Sequence, residues 1–351
     1  MSDMALSRRR VGALTRHLSA ANPAPTSSAA GPTPAAAARW QPPKQHEAPS
    51  SAEWALRLEL AVAYRWAARH QLSEGVCNHF TAEVSPGQFL VIPYGMQWSE
   101  VTAASLLLVD SDGKVLRGGG AELLSAVEIM EGLQPRPPLT FDETGMLEPT
   151  AFYIHGSIHK LLGDRAKVVL HTHMPYATAL ACTTAAPGSP PGSSPPNRLA
   201  FVHQSSSRFW TRTLYEDRFG GLVMDDEGGM ANARLLAQLP EGPLSVLFLA
   251  NHGVLVCADT VAMAYDSLYY LERTCMFQVL ALQAAGASGT LERISEPQLD
   301  ALHAQKMKIC CFQASKHFGA LRRILEKEEP EFAQSWSDTY RTMREKEVDC
   351  G

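Results

Sequence analysis

Trp54, Leu56, Leu58, Leu60, Ala61, Tyr64 and Trp66 supply apolar faces at helical spacing, and they predict a helix over residues 52–70. Shorter apolar runs then take over. Residues 75–81 read as a strand or turn entry, and 88–93 as a strand. Residues 106–110 and 111–116 read as a hairpin whose turn is Asp112 and Gly113. A helix is expected over 151–162. Residues 168–170 and 245–250 are unbroken apolar runs, the pattern of strands buried on both faces. Pro175 at an early helical position opens a helix through 176–181. A further strand, 254–256, is hinged to the preceding one at His252 and Gly253. A long helix follows over 260–284, with Asp259 or Thr260 as its N-cap. Residues 199–210 lead into a turn at Gly220 and Gly221, and 185–196 form a Pro/Gly/Ser surface loop. Residues 292–344 read as helical and charged, and 318–325 as amphipathic. That stretch is expected to pack on the core or complete an oligomer interface, with a partner-binding arm as the other reading.

Strands in close succession with helices before and after indicate an α/β fold whose sheet is mixed or mainly antiparallel. A Rossmann repeat would need regular βαβ alternation and a glycine fingerprint, and neither is present. Composition agrees with an ordinary globular domain: of 351 residues, 45% are apolar and 19% charged. A net charge of -5 without a dense Lys/Arg patch excludes a nucleic-acid field. No apolar stretch reaches the roughly 18 residues of a membrane span. Seven cysteines are scattered without CxxC pairs, which indicates a reducing, intracellular compartment. Before Glu47 the only acid is Asp3, against Arg8, Arg9, Arg10, Arg16, Arg39 and Lys44, and an Ala/Pro/Ser/Thr tract fills much of the rest. Residues 1–50 therefore read either as a mitochondrial transit peptide or as a low-complexity tail on a cytoplasmic protein.

The chemistry concentrates in His171, His173 and His252. Residues two apart on a strand share a face, so His171 and His173 aim together from one strand end, and His252 can join them from another. Three neutral imidazoles with one position open suit a divalent metal, zinc above all. Three unrelated histidines at strand ends are the plainer reading.

His171-Thr172-His173-Met174-Pro175-Tyr176, Asn251-His252-Gly253, Ile92-Pro93-Tyr94-Gly95 and Glu100-Val101-Thr102-Ala103-Ala104-Ser105 together resemble the class II aldolase/adducin family, over roughly residues 52–285. Tyr94-Gly95 and the Glu100 segment are closer to its adducin-head branch. The resemblance implies a three-layer α/β/α domain around a mainly antiparallel central sheet over residues 51–290. It leaves 1–50 as an N-terminal extension and 291–351 as a C-terminal helical extension. It also implies a homo-oligomer, a tetramer by preference. His171, His173 and His252 match the family's zinc ligands, and Asn78 matches a turn that helps hold substrate phosphate. Gly95 and Thr150 fall at substrate-binding positions.

The family's acid should fall at Phe152 or Ala151, and neither can carry a proton. Its phosphate-holding serine pair is represented by Thr150 and Ala151, and its intersubunit tyrosine by Gln204. Substitutes for the acid are His155, Glu148 and Tyr94. His155 shares a helical face with His159, which reads as a surface residue, and Glu148 stands one turn before Phe152. Trp98 and Trp210 read as core or interface anchors. Two functions remain. One is a metal-dependent lyase performing aldol cleavage, decarboxylation or epimerisation on a small hydroxy- or oxo-acid or a sugar derivative. The other is a non-catalytic adducin-like domain for assembly or actin-cytoskeleton contact. The absence of a basic cluster in residues 344–351 favours the first.

Overall fold

The computed structural model describes residues 48–118, 147–183, 198–286 and 290–335. Nearly all of the N-terminal extension, the whole of the 185–196 insertion and the end of the chain lie outside the described residues. Helix α1 (Ser51–Arg69) begins where the Ser50 hydroxyl accepts the Glu53 N–H at 3.1 Å, the usual N-cap bond. Strands β1 (His79–Ser85), β2 (Gln88–Val91), β3 (Leu107–Asp110) and β4 (Val115–Arg117) follow as an antiparallel meander. Gly113 turns β3 into β4 at φ +81°, a conformation open to glycine. Then come α2 (Pro149–Leu162), β5 (Val168–Thr172) and the short α3 (Pro175–Ala181). After these are β6 (Thr213–Glu216), α4 (Asp226–Ala237), β7 (Leu244–Leu249) and β8 (Gly253–Ala258). The long α5 (Val261–Ala285), capped by Thr260, and α6 (Glu296–Glu328) close the order.

One eight-stranded sheet runs β4-β3-β2-β1-β5-β8-β7-β6, antiparallel throughout except for the β6–β7 pair. Every residue of β5, β7 and β8 is buried, because helices cover both faces. On one face α2 and α4 pack with Val169, Leu247, Leu249, Leu255 and Cys257 in a single apolar cluster that includes Ile154, Ile158 and Leu236. On the other lie α1, whose Tyr64 stacks on Phe80 at 4.8 Å, and α5, which packs on β5 and β8 and carries α3. The three-layer α/β/α architecture is therefore present.

Two elements were invisible in the sequence: β6 and α4. Gly228 and Gly229 open α4, and each weakens helix propensity by about 1 kcal/mol relative to alanine. Packing explains the second of them. A Cβ on Gly229 would lie 2.0 Å from the Tyr153 carbonyl oxygen, so α2 and α4 approach more closely than a side chain allows.

His159 is not on the surface. It is 4% exposed, wedged between α2 and the sheet, with its Nδ1 2.7 Å from the Ala166 carbonyl oxygen. Burial pushes its pKa from 6.5 down to about 4, only partly opposed by that carbonyl. Between these two values the unfolded chain takes up a proton that the native chain refuses. This part of the stability is therefore complete above pH 6.5 and is lost as pH falls towards 4. In urea titrations, His159→Gln should flatten the fall in stability over that window. The flattening should reach roughly 3 kcal/mol at its acid end, and an unchanged slope would show that His159 titrates normally.

Candidate metal centre

The centre forms where two strand connections meet. His171 lies in β5 opposite Leu255 of β8 and His79 of β1, and His173 follows two residues on. Helix α3 anchors the segment after His173: the Glu272 carboxylate accepts the Tyr176 N–H at 2.8 Å and the Ala177 N–H at 2.9 Å, occupying donors that a helix start leaves free. The β7–β8 turn brings in His252. Asn251 takes φ +53° there, a left-handed conformation that asparagine tolerates. A Cβ on Gly253 would lie 2.4 Å from the Thr172 carbonyl oxygen and 2.8 Å from His173 Cδ2, so glycine is what lets the turn close on the histidine strand.

Ring centroids of His171, His173 and His252 form a near-equilateral triangle of 5.0, 4.7 and 4.8 Å. One nitrogen from each falls within 4.8 Å of the others. His171 and His173 have fixed tautomers. His171 Nδ1 is 3.0 Å from the Val254 carbonyl oxygen, which only accepts, so Nδ1 carries the hydrogen. His173 Nδ1 is 2.7 Å from Glu74 Oε2 and carries one for the same reason. In neutral rings both Nε2 atoms are then bare, and they face each other at 3.2 Å. Two lone pairs at that distance repel unless a metal ion or a shared proton lies between them. Two nitrogens on a tetrahedral zinc ion stand about 3.3 Å apart, so the donor set fits a metal. Burial holds the His171 and His252 rings neutral, as ligands must be. His171 is driven well below 6.5 by desolvation and then by the neighbouring histidines. His252 is driven to about 4 by desolvation and then by His173. The Glu74 carboxylate orients His173 from outside. Glu74→Gln should weaken Zn2+ binding by about 10- to 100-fold in calorimetric titration, and an unchanged affinity would remove Glu74 from the site.

His79 lies beside the triad, whereas the sequence offers it only within a strand or turn entry. Its ring is 5.1 Å from that of His171. Strand alternation in β1 pairs it with Thr81 on one face, but the β1–β5 register that sets it beside His171 is a tertiary fact.

Glu148 is the N-cap of α2. Its Oε2 accepts the Ala151 N–H and the Thr150 hydroxyl, both at 2.6 Å, and stands 3.7 Å from His79 Nε2. A carboxylate thus reaches the rim from the helix start. Phe152, one turn on, stacks with Phe89 at 6.3 Å and faces a recess of about 800 Å³ that none of the triad lines. Ala151 is fully buried. His155 is also fully buried, bonded to His79 and Thr81, and it does not reach the open side.

Asn78 Oδ1 accepts the Glu74 N–H at 2.7 Å and the His173 N–H at 3.3 Å, tying its turn to the histidine strand. Its Nδ2 is buried without a hydrogen-bond partner among the described residues. Tyr94 is 41% exposed, and its hydroxyl is held above the usual pKa by desolvation, then by Cys77 and Glu148. Gly95 at φ +90° has open space where a side chain would stand. Gln204 starts the 3-10 helix Gln204–Phe209. Trp98 is buried, donating to the Asn78 carbonyl, while Trp210 bonds to Asp300 at 2.8 Å.

The sequence profile described as Class II Aldolase and Adducin N-terminal domain matches residues 58–279. The chain belongs to this family. A protein of Pseudomonas aeruginosa grouped with the class 2 aldolases is 30% identical over 240 residues, covering 68% of this chain and 75% of its own. Alpha-adducin of Rattus norvegicus is 29% identical over 239 residues, covering 67% of this chain but 27% of its own. Among solved structures, an aldolase II superfamily protein from Pseudomonas syringae superposes with a TM-score of 0.63 at 27% identity, over 82% of this chain and 98% of its own. L-fuculose 1-phosphate aldolase from Glaciozyma antarctica shares the fold, with a TM-score of 0.59 at 24% identity over 82% and 96%. The described part of this class II aldolase-family chain has no helix long and apolar enough to cross a membrane.

Proposed function

We propose that the chain is a metal-dependent enzyme of the class II aldolase type. Its reaction is aldol cleavage, decarboxylation or epimerisation of a small hydroxy- or oxo-acid or a sugar derivative. The observation that carries this reading is the pair of bare Nε2 atoms of His171 and His173, 3.2 Å apart with His252 beside them. These three residues would hold the ion, with Zn2+ favoured by a three-imidazole set. When bound, such an ion supplies Lewis acidity to a substrate oxygen and so stabilises negative charge on the neighbouring carbon.

The chain's own groups do the rest. Glu148 takes or returns the proton at that carbon. Both of its short hydrogen bonds fall on Oε2, so Oε1 is the oxygen offered to the substrate. Asn78 Nδ2, already desolvated, donates to a substrate oxygen, since a buried donor left unpaired costs about 1–3 kcal/mol. Tyr94 keeps its hydroxyl proton at neutral pH and can donate it at the mouth of the site. Exposed Phe219, Leu222 and Phe312 support a homo-oligomer, proposed as a tetramer, and sedimentation showing a monomer would exclude it.

The test is turnover of a panel of hydroxy- and oxo-acids and sugar derivatives by the full chain before and after chelation. The expected result is at least one product that disappears with the chelator and returns with Zn2+. Turnover indifferent to chelation overturns the metal role. A protein that carries no ion and turns over nothing leaves the assembly reading in its place.

A further inference from the structure

A line of buried polar side chains runs from behind the triad into the interface between α2 and the sheet. It links His79, His155, Thr81 and His159, all 4% exposed or less. The alternation of β1 puts His79 and Thr81 on the α2 side, and four-residue spacing on α2 puts His155 and His159 over them. His79 Nδ1 is 2.9 Å from His155 Nε2. The Thr81 hydroxyl is 2.7 Å from His155 Nδ1 and 2.8 Å from His159 Nε2. His159 Nδ1 ends the line on the Ala166 carbonyl oxygen at 2.7 Å.

The direction of every bond follows from that end. A carbonyl oxygen only accepts, so His159 carries its hydrogen on Nδ1, and in a neutral ring its Nε2 is an acceptor. Thr81 has one hydroxyl hydrogen and must give it to His159 Nε2. The Thr81 oxygen therefore accepts from His155 Nδ1–H, which leaves His155 Nε2 bare. That atom accepts from His79 Nδ1–H, and His79 Nε2 is left bare in turn. The three rings are buried, and their hydrogen bonds run only to one another, to the Thr81 hydroxyl and to the Ala166 carbonyl, none of which carries a charge, while the Glu148 carboxylate at 3.7 Å from His79 Nε2 is beyond hydrogen-bond reach. The Thr150 hydroxyl does not serve His79, because its hydrogen goes to Glu148 at 2.6 Å while His79 Nε2 is 3.5 Å away.

We infer that Ala166, His159, Thr81 and His155 form a one-way hydrogen-bond chain that holds His79 as its Nδ1–H tautomer. His79 Nε2 is thereby presented beside Glu148 as an acceptor for a hydroxyl group of the ligand. His155, Thr81 and His159 are positioning residues and His79 is the recognition group. A site with this acceptor selects a hydroxylated compound over its deoxy counterpart, since the deoxy compound leaves His79 Nε2 desolvated and unpaired. The inference rests on the proposed function only in taking this rim as the ligand's place, and the tautomer is independent of metal and turnover.

Histidine-labelled full-length protein tests it by nitrogen and carbon NMR, with the His79 signals identified through His79→Gln. The wild-type protein should show His79 with its hydrogen on Nδ1. Thr81→Val should release this preference into a mixture of tautomers, and Thr81→Ser should restore it. A His79 hydrogen on Nε2 in the wild-type protein overturns the chain by itself, even if Thr81→Val fails to fold. A tautomer unmoved in folded Thr81→Val overturns it too. With glycolate and acetate as probes, glycolate alone should shift the His79 Nε2 resonance. An equal response to both, or a response to neither, overturns the hydroxyl assignment while leaving the tautomer result standing.

Discussion

Replacing His171 and His173 together with alanine should take the bound metal from about one ion per chain to less than about a tenth of one. The two Nε2 atoms stand 3.2 Å apart, and they are two of the three imidazoles that make up the described metal-binding group. Elemental analysis after gel filtration reads the result directly. His171 is 1% exposed, so its removal also leaves a void and costs stability. His252→Ala separates the two effects. That ring sits on a turn and is only partly buried, so its loss should release the ion while the thermal transition of the metal-free protein moves little. Full metal occupancy in either variant would end the proposal that these rings are ligands.

Glu148→Gln should lower turnover by about 10²- to 10⁴-fold, the usual worth of a positioned proton-transfer group, with the metal content unchanged. Glutamine keeps an oxygen that can accept the Ala151 N–H, so α2 should keep its cap. The lost negative charge at the helix start costs about 0.3–1 kcal/mol, too little to unfold the domain. The two losses are thus separable by measuring kcat beside the unfolding midpoint. Activity within tenfold of the wild type would pass the proton-transfer role to another group, with Tyr94→Phe the next variant to examine. Loss of the ion together with activity would make Glu148 a support of the metal and not the proton carrier.

The helices and strands that could be read from the chain were those with an unbroken period. The helix expected over 52–70 is α1, the apolar run 245–250 is β7, and Thr260 is the cap of α5. The order of strands and helices, without a glycine fingerprint, excludes a Rossmann repeat from the sequence alone. The elements without a periodic signal are α4 and β6. The helix α4 opens with two glycines, one of them demanded by its contact with Tyr153. The strand β6 is four half-buried residues long. The sequence points His159 outward because polar residues on a helix ordinarily face water, whereas it is bonded from both ring nitrogens inside the protein.

The candidate site divides in the same way. Residues two apart on a strand must share a face, so His171 and His173 declare themselves from spacing alone, and the Asn251-His252-Gly253 turn declares itself by family likeness. Membership in the class II aldolase and adducin family was also legible, because its motifs are local in sequence. Counting back along the chain puts the family's acid at Phe152 or Ala151, so the sequence leaves His155, Glu148 and Tyr94 as substitutes without choosing among them. Only the fold shows that Glu148, at the start of α2, stands 3.7 Å from His79, and that His79 lies beside His171. Those facts depend on the β1–β5 register and on how α2 lies across the sheet, and both are set by burying Val169, Ile154, Ile158 and their neighbours in one cluster. Local pattern specifies which face a side chain takes, whereas the partner it meets there is chosen by the packing of segments far apart in the chain.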